Sequence, residues 1–274
     1  LFRRLAGEEA IFQDSNSTPP TVGLFVTCLV DLFRPAVGFA SIKLLEEAGC
    51  QIEVPDTQTC CGQPAFNAGH REEAVTIARQ VIAAFEPFDY VVAPSGSCAA
   101  TIRRHYPELL ADDPKWSSRA EAVASKTYEL TSFLTDVRSL AGVKVELPEK
   151  TIAIYHDSCS GLRELGVKTQ PRSLLGTIEN LELKEMEEPE VCCGFGGTFC
   201  TKYPAISEVI VSAKTKDIDA TGADLLLAGD MGCLMNMAGR LRREGRRTEV
   251  RHVVEILSGM TEAPPIAGRQ EDQS

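Results

Sequence analysis

Two Cys-Cys-Gly steps, Cys60-Cys61-Gly62 and Cys192-Cys193-Gly194, constrain this chain most, because each is flanked by a lone cysteine on either side at a repeated distance. Thirty-one residues separate Cys28 from Cys60 and thirty-six separate Cys61 from Cys98. In the second half the gaps are thirty-two, Cys159 to Cys192, and thirty-nine, Cys193 to Cys233. Adjacent cysteines rarely pair with each other, since a trans peptide holds their Cα atoms ~3.8 Å apart and a disulfide usually wants ~4.4 Å or more. Their thiols are placed to bind something else. Gly194, Gly196 and Gly197 let the backbone take positive φ and turn its N–H groups toward a bulky anion, the local geometry of an iron–sulfur or phosphate site.

The segments around these cysteines repeat as well. Val22–Thr27 reads as a strand, and apolar residues at near-helical spacing from Pro35 to Gly49 read as a helix. Gln51–Val54 and Tyr90–Ala93 are predicted strands on either side of a helix over Glu72–Phe85, and Tyr90–Ala93 runs into the turn Pro94-Ser95-Gly96-Ser97-Cys98. A further helix, continuous or broken once, is expected over Arg119–Leu140 and a linker over Gly142–Lys150. In the second half, Thr151–Tyr155, Leu181–Met186 and Asp224–Ala228 read as strands, with helical stretches over Pro171–Ile178 and Ala205–Ala220. The order strand, cysteine, helix, strand, cysteine pair, helix, strand, cysteine therefore occurs twice. The expected fold is α/β: two tandem duplicated Rossmann-like units with parallel sheets. Each cysteine falls just past the carboxyl end of a strand, where open parallel sheets collect ligands. The expected organisation is a disordered leader over 1–20, a first unit over 21–145, a second over 146–258 and a disordered tail over 259–274.

With 274 residues the chain can bury a core without disulfide staples, and ten cysteines fall short of the density of small secreted scaffolds. Leu1–Pro20 lacks the apolar core of a secretion signal, and no apolar run approaches the ~18 residues of a membrane span. A cytoplasmic protein with no transmembrane segment is expected, in a compartment where clustered thiols favour metal or redox chemistry. A net charge of −11 argues against nucleic acid as a partner. Locally, Arg240, Arg242, Arg243, Arg246, Arg247 and Arg251 form a basic segment, either a solvated helix end or a docking patch for an acidic partner.

Four thiolates suit a structural zinc or a 4Fe-4S cluster. Structural zinc usually takes two tight cysteine pairs, whereas here only the dyad is local, so the spacing favours iron–sulfur, with zinc the competitor, above all in the first site. The candidate ligands are Cys28, Cys60, Cys61 and Cys98 in the first half and Cys159, Cys192, Cys193 and Cys233 in the second. His156, three residues before Cys159, is placed either to hydrogen-bond the bound group or to be satisfied within its own loop. Cys50 and Cys200 fall outside the repeat. The Gly194–Gly197 loop lacks the full dinucleotide fingerprint, so no nicotinamide or flavin site is expected.

From Val22 to Leu257 the chain resembles the cysteine-rich CCG-domain family, which includes the cysteine-rich subunit of heterodisulfide reductases and the glycolate oxidase iron–sulfur subunit. The segments Phe25–Asp31, Gln58–Pro64, Pro94–Ala99, Tyr155–Cys159 and Cys192–Gly197 are similar to those of the lactate utilization protein A group within it. The resemblance implies two iron–sulfur clusters and a role as electron-transfer subunit of an L-lactate-oxidising complex with two partner subunits. Lactate electrons would then reach the chain indirectly, and no catalytic residue is implied in the chain alone. Heterodisulfide-reductase-type members carry a further cysteine at the last element of each half, where Ser95 and Asp230 stand here. That departure weighs against a non-cubane cluster and leaves the two oxygens as candidate extra ligands. Two rival functions remain: a thiol–disulfide reductase subunit acting at a cluster, and a non-redox scaffold stapled by zinc.

Overall fold

The computed structural model describes residues 18–268. Strands β1 (Thr21–Leu24), β2 (Gln51–Glu53), β3 (Tyr90–Ala93) and β4 (Thr127–Glu129) form one sheet in the order β2-β1-β3-β4. Strands β5 (Glu146–Tyr155), β6 (Glu179–Lys184), β7 (Leu225–Ala228) and β8 (Glu249–His252) form a second in the order β6-β5-β7-β8. All six strand pairings are parallel. Val22 pairs with both Ile52 and Tyr90, and Ile154 with both Lys184 and Leu226, so β1 and β5 hold the same central place. Parallel sheets need cover on both faces, which is why the inner strands read as unbroken apolar runs. Val91, Val92 and Ala93 of β3 and Leu226, Leu227 and Ala228 of β7 are wholly buried.

The two faces of the first sheet go to different cores. Val91, Ala93 and Phe25 pack with Ala78, Ile82 and Phe85 of the helix Arg71–Phe85. Val22, Leu24 and Val92 belong to an apolar cluster that continues through Leu44 into Ile154, Leu226 and Val254 of the second half. The halves also meet through equivalent residues. Ser95 and Asp230, each three residues before the last cysteine of its half, are bonded at 3.2 Å. Contact between equivalent positions is what an approximate two-fold axis produces. A buried ion pair, Arg34 to Glu255 at 2.8 Å, ties the halves at a second place.

Three expectations need correction. The helix expected over Arg119–Leu140 is divided by β4, a three-residue edge strand whose Thr127 and Glu129 are buried; such a short, polar strand leaves no alternation to read. The strand expected to reach Thr27 stops at Leu24, because Thr27 turns to φ 77° to cap the helix Cys28–Phe33. The linker over Gly142–Lys150 is cut short by β5, which starts at Glu146. Of the expected loose ends, residues 259–268 run back along β8, with the Ile266 amide bonded to the Val250 carbonyl at 2.8 Å, while 1–17 and 269–274 lie outside the described residues. No helix among the described residues is long and apolar enough to cross a membrane.

Candidate metal centre

The eight repeat cysteines gather as two quartets at the carboxyl ends of the strands. Cys28 and Cys159 open the helices Cys28–Phe33 and Cys159–Leu165 just after β1 and β5. Cys98 and Cys233 lie in the first turn of the helices Gly96–Ala100 and Met231–Arg243 after β3 and β7. Both dyads sit on loops after the edge strands β2 and β6. Cys28, Cys60, Cys61 and Cys98 line a cavity of about 170 Å³, and Cys159, Cys192, Cys193 and Cys233 line one of about 120 Å³. The cavities share Gln63, Ser97, Phe195, Gly197 and Asp230 as lining, so each half contributes the wall of the other's site.

The dyad loops are built alike. Gly62 and Gly194 both adopt φ 82°, and each donates its amide to the first sulfur of its dyad, Cys60 at 3.4 Å and Cys192 at 3.3 Å. A Cβ on Gly194 would stand 2.9 Å from the Ser207 carbonyl oxygen, so the position excludes a side chain sterically as well as conformationally. The carbonyl of the second cysteine is clamped by a helical side chain that comes after the last cysteine of its half. Tyr106 Oη donates to the Cys61 carbonyl and Asn236 Nδ2 to the Cys193 carbonyl, both at 2.8 Å. Neither residue stands out in the sequence, since each acts across dozens of residues through a single bond.

Hydrogen bonds from the Cys28 and Cys61 thiols hold Cys60 down to about 3. Those from Cys159 and Cys193 hold Cys192 down to about 2. The bond to that thiolate, followed by burial, pushes Cys28 and Cys159 up, and the same bond, followed by one to Cys98 or Cys233 and then burial, pushes Cys61 and Cys193 up. Each quartet thus carries one stabilised thiolate, on the same member of the dyad, among thiols that would release protons to a metal.

The surroundings of the quartets differ. Beside the second lie the ion pair of the buried Asp157 with Arg172, at 2.8 and 2.9 Å, and the buried Lys214, whose ammonium donates to the Glu188 and Pro189 carbonyls. His156 is fully buried, and burial first, then Lys214, lowers it to about 3, leaving a neutral ring. One of its nitrogens and the sulfurs of Cys193 and Cys233 lie within 4.8 Å of one another. The sequence reading did not single out Lys214, which interrupts the buried stripe Val211, Thr215, Ile218 of its helix.

Ser95 and Asp230 are buried and face each other. The Asp230 carboxylate accepts from Ser95 Oγ and from the Ser97 amide at 3.0 Å, and Ser95 Oγ caps the Cys98 amide at 3.3 Å. Cys50 lies in the apolar cluster, and the Cys200 thiol is bonded to the Gly197 carbonyl at 3.7 Å. In the basic segment, Arg240 pairs with Glu208 and Glu244, and Arg246 with Asp219. A hollow of about 830 Å³ opens at the opposite rim of the second sheet between Thr151, Asp224, Arg247 and Glu249, far from any repeat cysteine.

The sequence pattern of the cysteine-rich domain named CCG matches residues 22–103 and 153–238, once in each half. Lactate utilization protein A 2 of Bacillus cereus (strain AH820) is 46% identical over 237 residues, 86% of this chain and 97% of that protein. Lactate utilization protein A of Shouchella clausii (strain KSM-K16) is 50% identical over 237 residues, covering 86% and 98%. A crystal structure of a hypothetical protein from Helicobacter pylori superposes with a TM-score of 0.62 at 13% identity, over 94% of this chain and 51% of that one. It shares the fold, and this chain spans about half its length.

Proposed function

The chain belongs to the cysteine-rich CCG-domain family, and from that premise we propose that it is the iron–sulfur electron-transfer subunit of an L-lactate-oxidising complex. The observation that carries this reading is the pair of four-thiol cavities that share a wall. Four thiols from three strand ends, with an amide aimed at one sulfur, are a donor set that fits a 4Fe-4S cluster in each half. Cys28, Cys60, Cys61 and Cys98 would hold one group and Cys159, Cys192, Cys193 and Cys233 the other. When bound, such groups supply one-electron transfer.

The chain's own residues do the rest. The Gly62 and Gly194 amides stabilise negative charge on Cys60 and Cys192. Tyr106 and Asn236 fix the dyad backbones, and Arg172 with the buried Lys214 puts cationic charge near the second site alone. Phe195 and Met231 help close the first cavity. The sequence offers no flavin or nicotinamide site, so the step at the lactate carbon belongs to partner subunits, two in number, in the cytoplasm.

Metal and sulfide analysis of the anaerobically purified chain should find about eight irons per chain with matching sulfide. Lactate-dependent dye reduction should be absent with the chain alone and appear when partner subunits are added. Stoichiometric zinc without iron in both sites, or robust turnover by the chain alone, would overturn the reading.

A further inference from the structure

We infer that His156 is a nitrogen ligand of the group held by the second quartet, making that centre a mixed sulfur–nitrogen site while the first is all sulfur. The inference rests on the reading that the quartets hold metal.

Three observations carry it. First, His156 is fully buried, yet neither Nδ1 nor Nε2 has a hydrogen-bond partner among the described residues. A buried polar atom left without a partner costs about 1–3 kcal/mol, so natural folds seldom keep one without a use. His252 shows the ordinary solution in the same molecule: equally buried, it accepts from the Val254 amide at 3.3 Å on Nδ1 and meets the Pro94 carbonyl at 3.1 Å through Nε2.

Second, one His156 nitrogen already lies with the Cys193 and Cys233 sulfurs inside a 4.8 Å span. That sets a nitrogen donor beside two of the four thiols, in reach of a bond to the group they would hold. A neutral imidazole offers one lone pair for this bond.

Third, the fold does not need a polar ring there. Phe25 holds the equivalent place in the first half, three residues before Cys28 as His156 is three before Cys159. Both are fully buried, and both donate their amides to the neighbouring inner strand, Phe25 to Val92 at 2.9 Å and His156 to Leu227 at 2.8 Å. Phe25 stacks on Phe85 with ring centroids 5.5 Å apart, filling the space with hydrocarbon. The same backbone position carries a hydrocarbon ring in the first half and a nitrogen-bearing ring in the second.

The test is pulsed EPR on the full chain, purified anaerobically, reduced and labelled with 15N-histidine, alongside metal analysis. The expected result is a strongly coupled histidine nitrogen that is lost in His156→Phe and kept in His252→Gln, with metal retained in both. A filled second quartet with no strongly coupled histidine nitrogen in the wild-type chain overturns the inference and leaves the proposed function standing, an outcome that depends on no variant folding. Coupling that survives in His156→Phe overturns it as well. A second quartet that takes up no metal overturns both.

Discussion

His252 and His156 show how differently one side chain can be used at the same depth. His252 accepts an amide on Nδ1, so its Nε2 carries the proton given to the Pro94 carbonyl, and burial holds it down to about 4. Its folded value lies below the ordinary histidine value of ~6.5, so as pH falls the unfolded chain takes up the proton first. Stability is then lost from about pH 6.5 down to about 4, by on the order of 3 kcal/mol for a fully buried ring with a folded value of about 4. His252→Gln, which can still donate to Pro94, should remove that part of the pH dependence. In urea unfolding, the advantage of wild type over variant should shrink across this window; an advantage that stays constant from pH 7 to 4 would rule the account out. In the sequence, the cysteines were legible because their spacing repeats, and His156 because it sits three residues from one of them. Tyr106, Asn236 and Lys214 were not, since what defines each is a partner that only the fold brings near.

At the scale of elements, the inner strands and long helices could be read because burial on both faces leaves unbroken apolar runs and amphipathic helices leave a periodic stripe. The last strand of each half, β4 and β8, escaped that reading. Each is only three or four residues long, mixes charge with apolar groups, and is fixed by pairing to β3 or β7 rather than by its own pattern. The close approach between halves was equally hidden. The helices Gly96–Ala100 and Cys159–Leu165 come together so tightly that a Cβ on Gly96 would stand 2.8 Å from the Gly161 Cα, a backbone atom that cannot turn aside. Gly96→Ala should therefore force the two helices apart and cost about 1–3 kcal/mol, a fall of several degrees in Tm. Gly239→Ala, whose new Cβ would meet only the end of the Arg243 side chain at 3.7 Å, serves as control and should leave Tm unchanged or slightly raised. Equal Tm values for Gly96→Ala and wild type would show that the contact can relax.

For the whole molecule, the sequence repeat invites a picture of two independent domains divided near residue 145, each with its own centre. The packing argues for dependence. Val22, Leu24 and Val92 belong to a cluster that the second half completes with Ile154, Leu226 and Val254, so cutting the chain opens part of that cluster to water. The first cavity would lose Phe195, Asp230 and Met231 from its wall, and the second would lose Gln63, Asn67 and Ser97. Glu255 would also lose Arg34, leaving a fully buried carboxylate without its cation, a change of the kind that costs about 3–5 kcal/mol. We therefore propose that the boundary marks an ancestral repeat and not a point at which the chain can be cut. Residues 1–145 and 146–274 expressed separately should each be poorly soluble and hold little metal. Co-expressed, they should associate and recover most of the metal content of the intact chain, since every ligand thiol remains in one piece or the other. An isolated first half that stays soluble and holds a stable, full complement of metal would show that the shared wall is dispensable and that the two sites evolved side by side without needing one another.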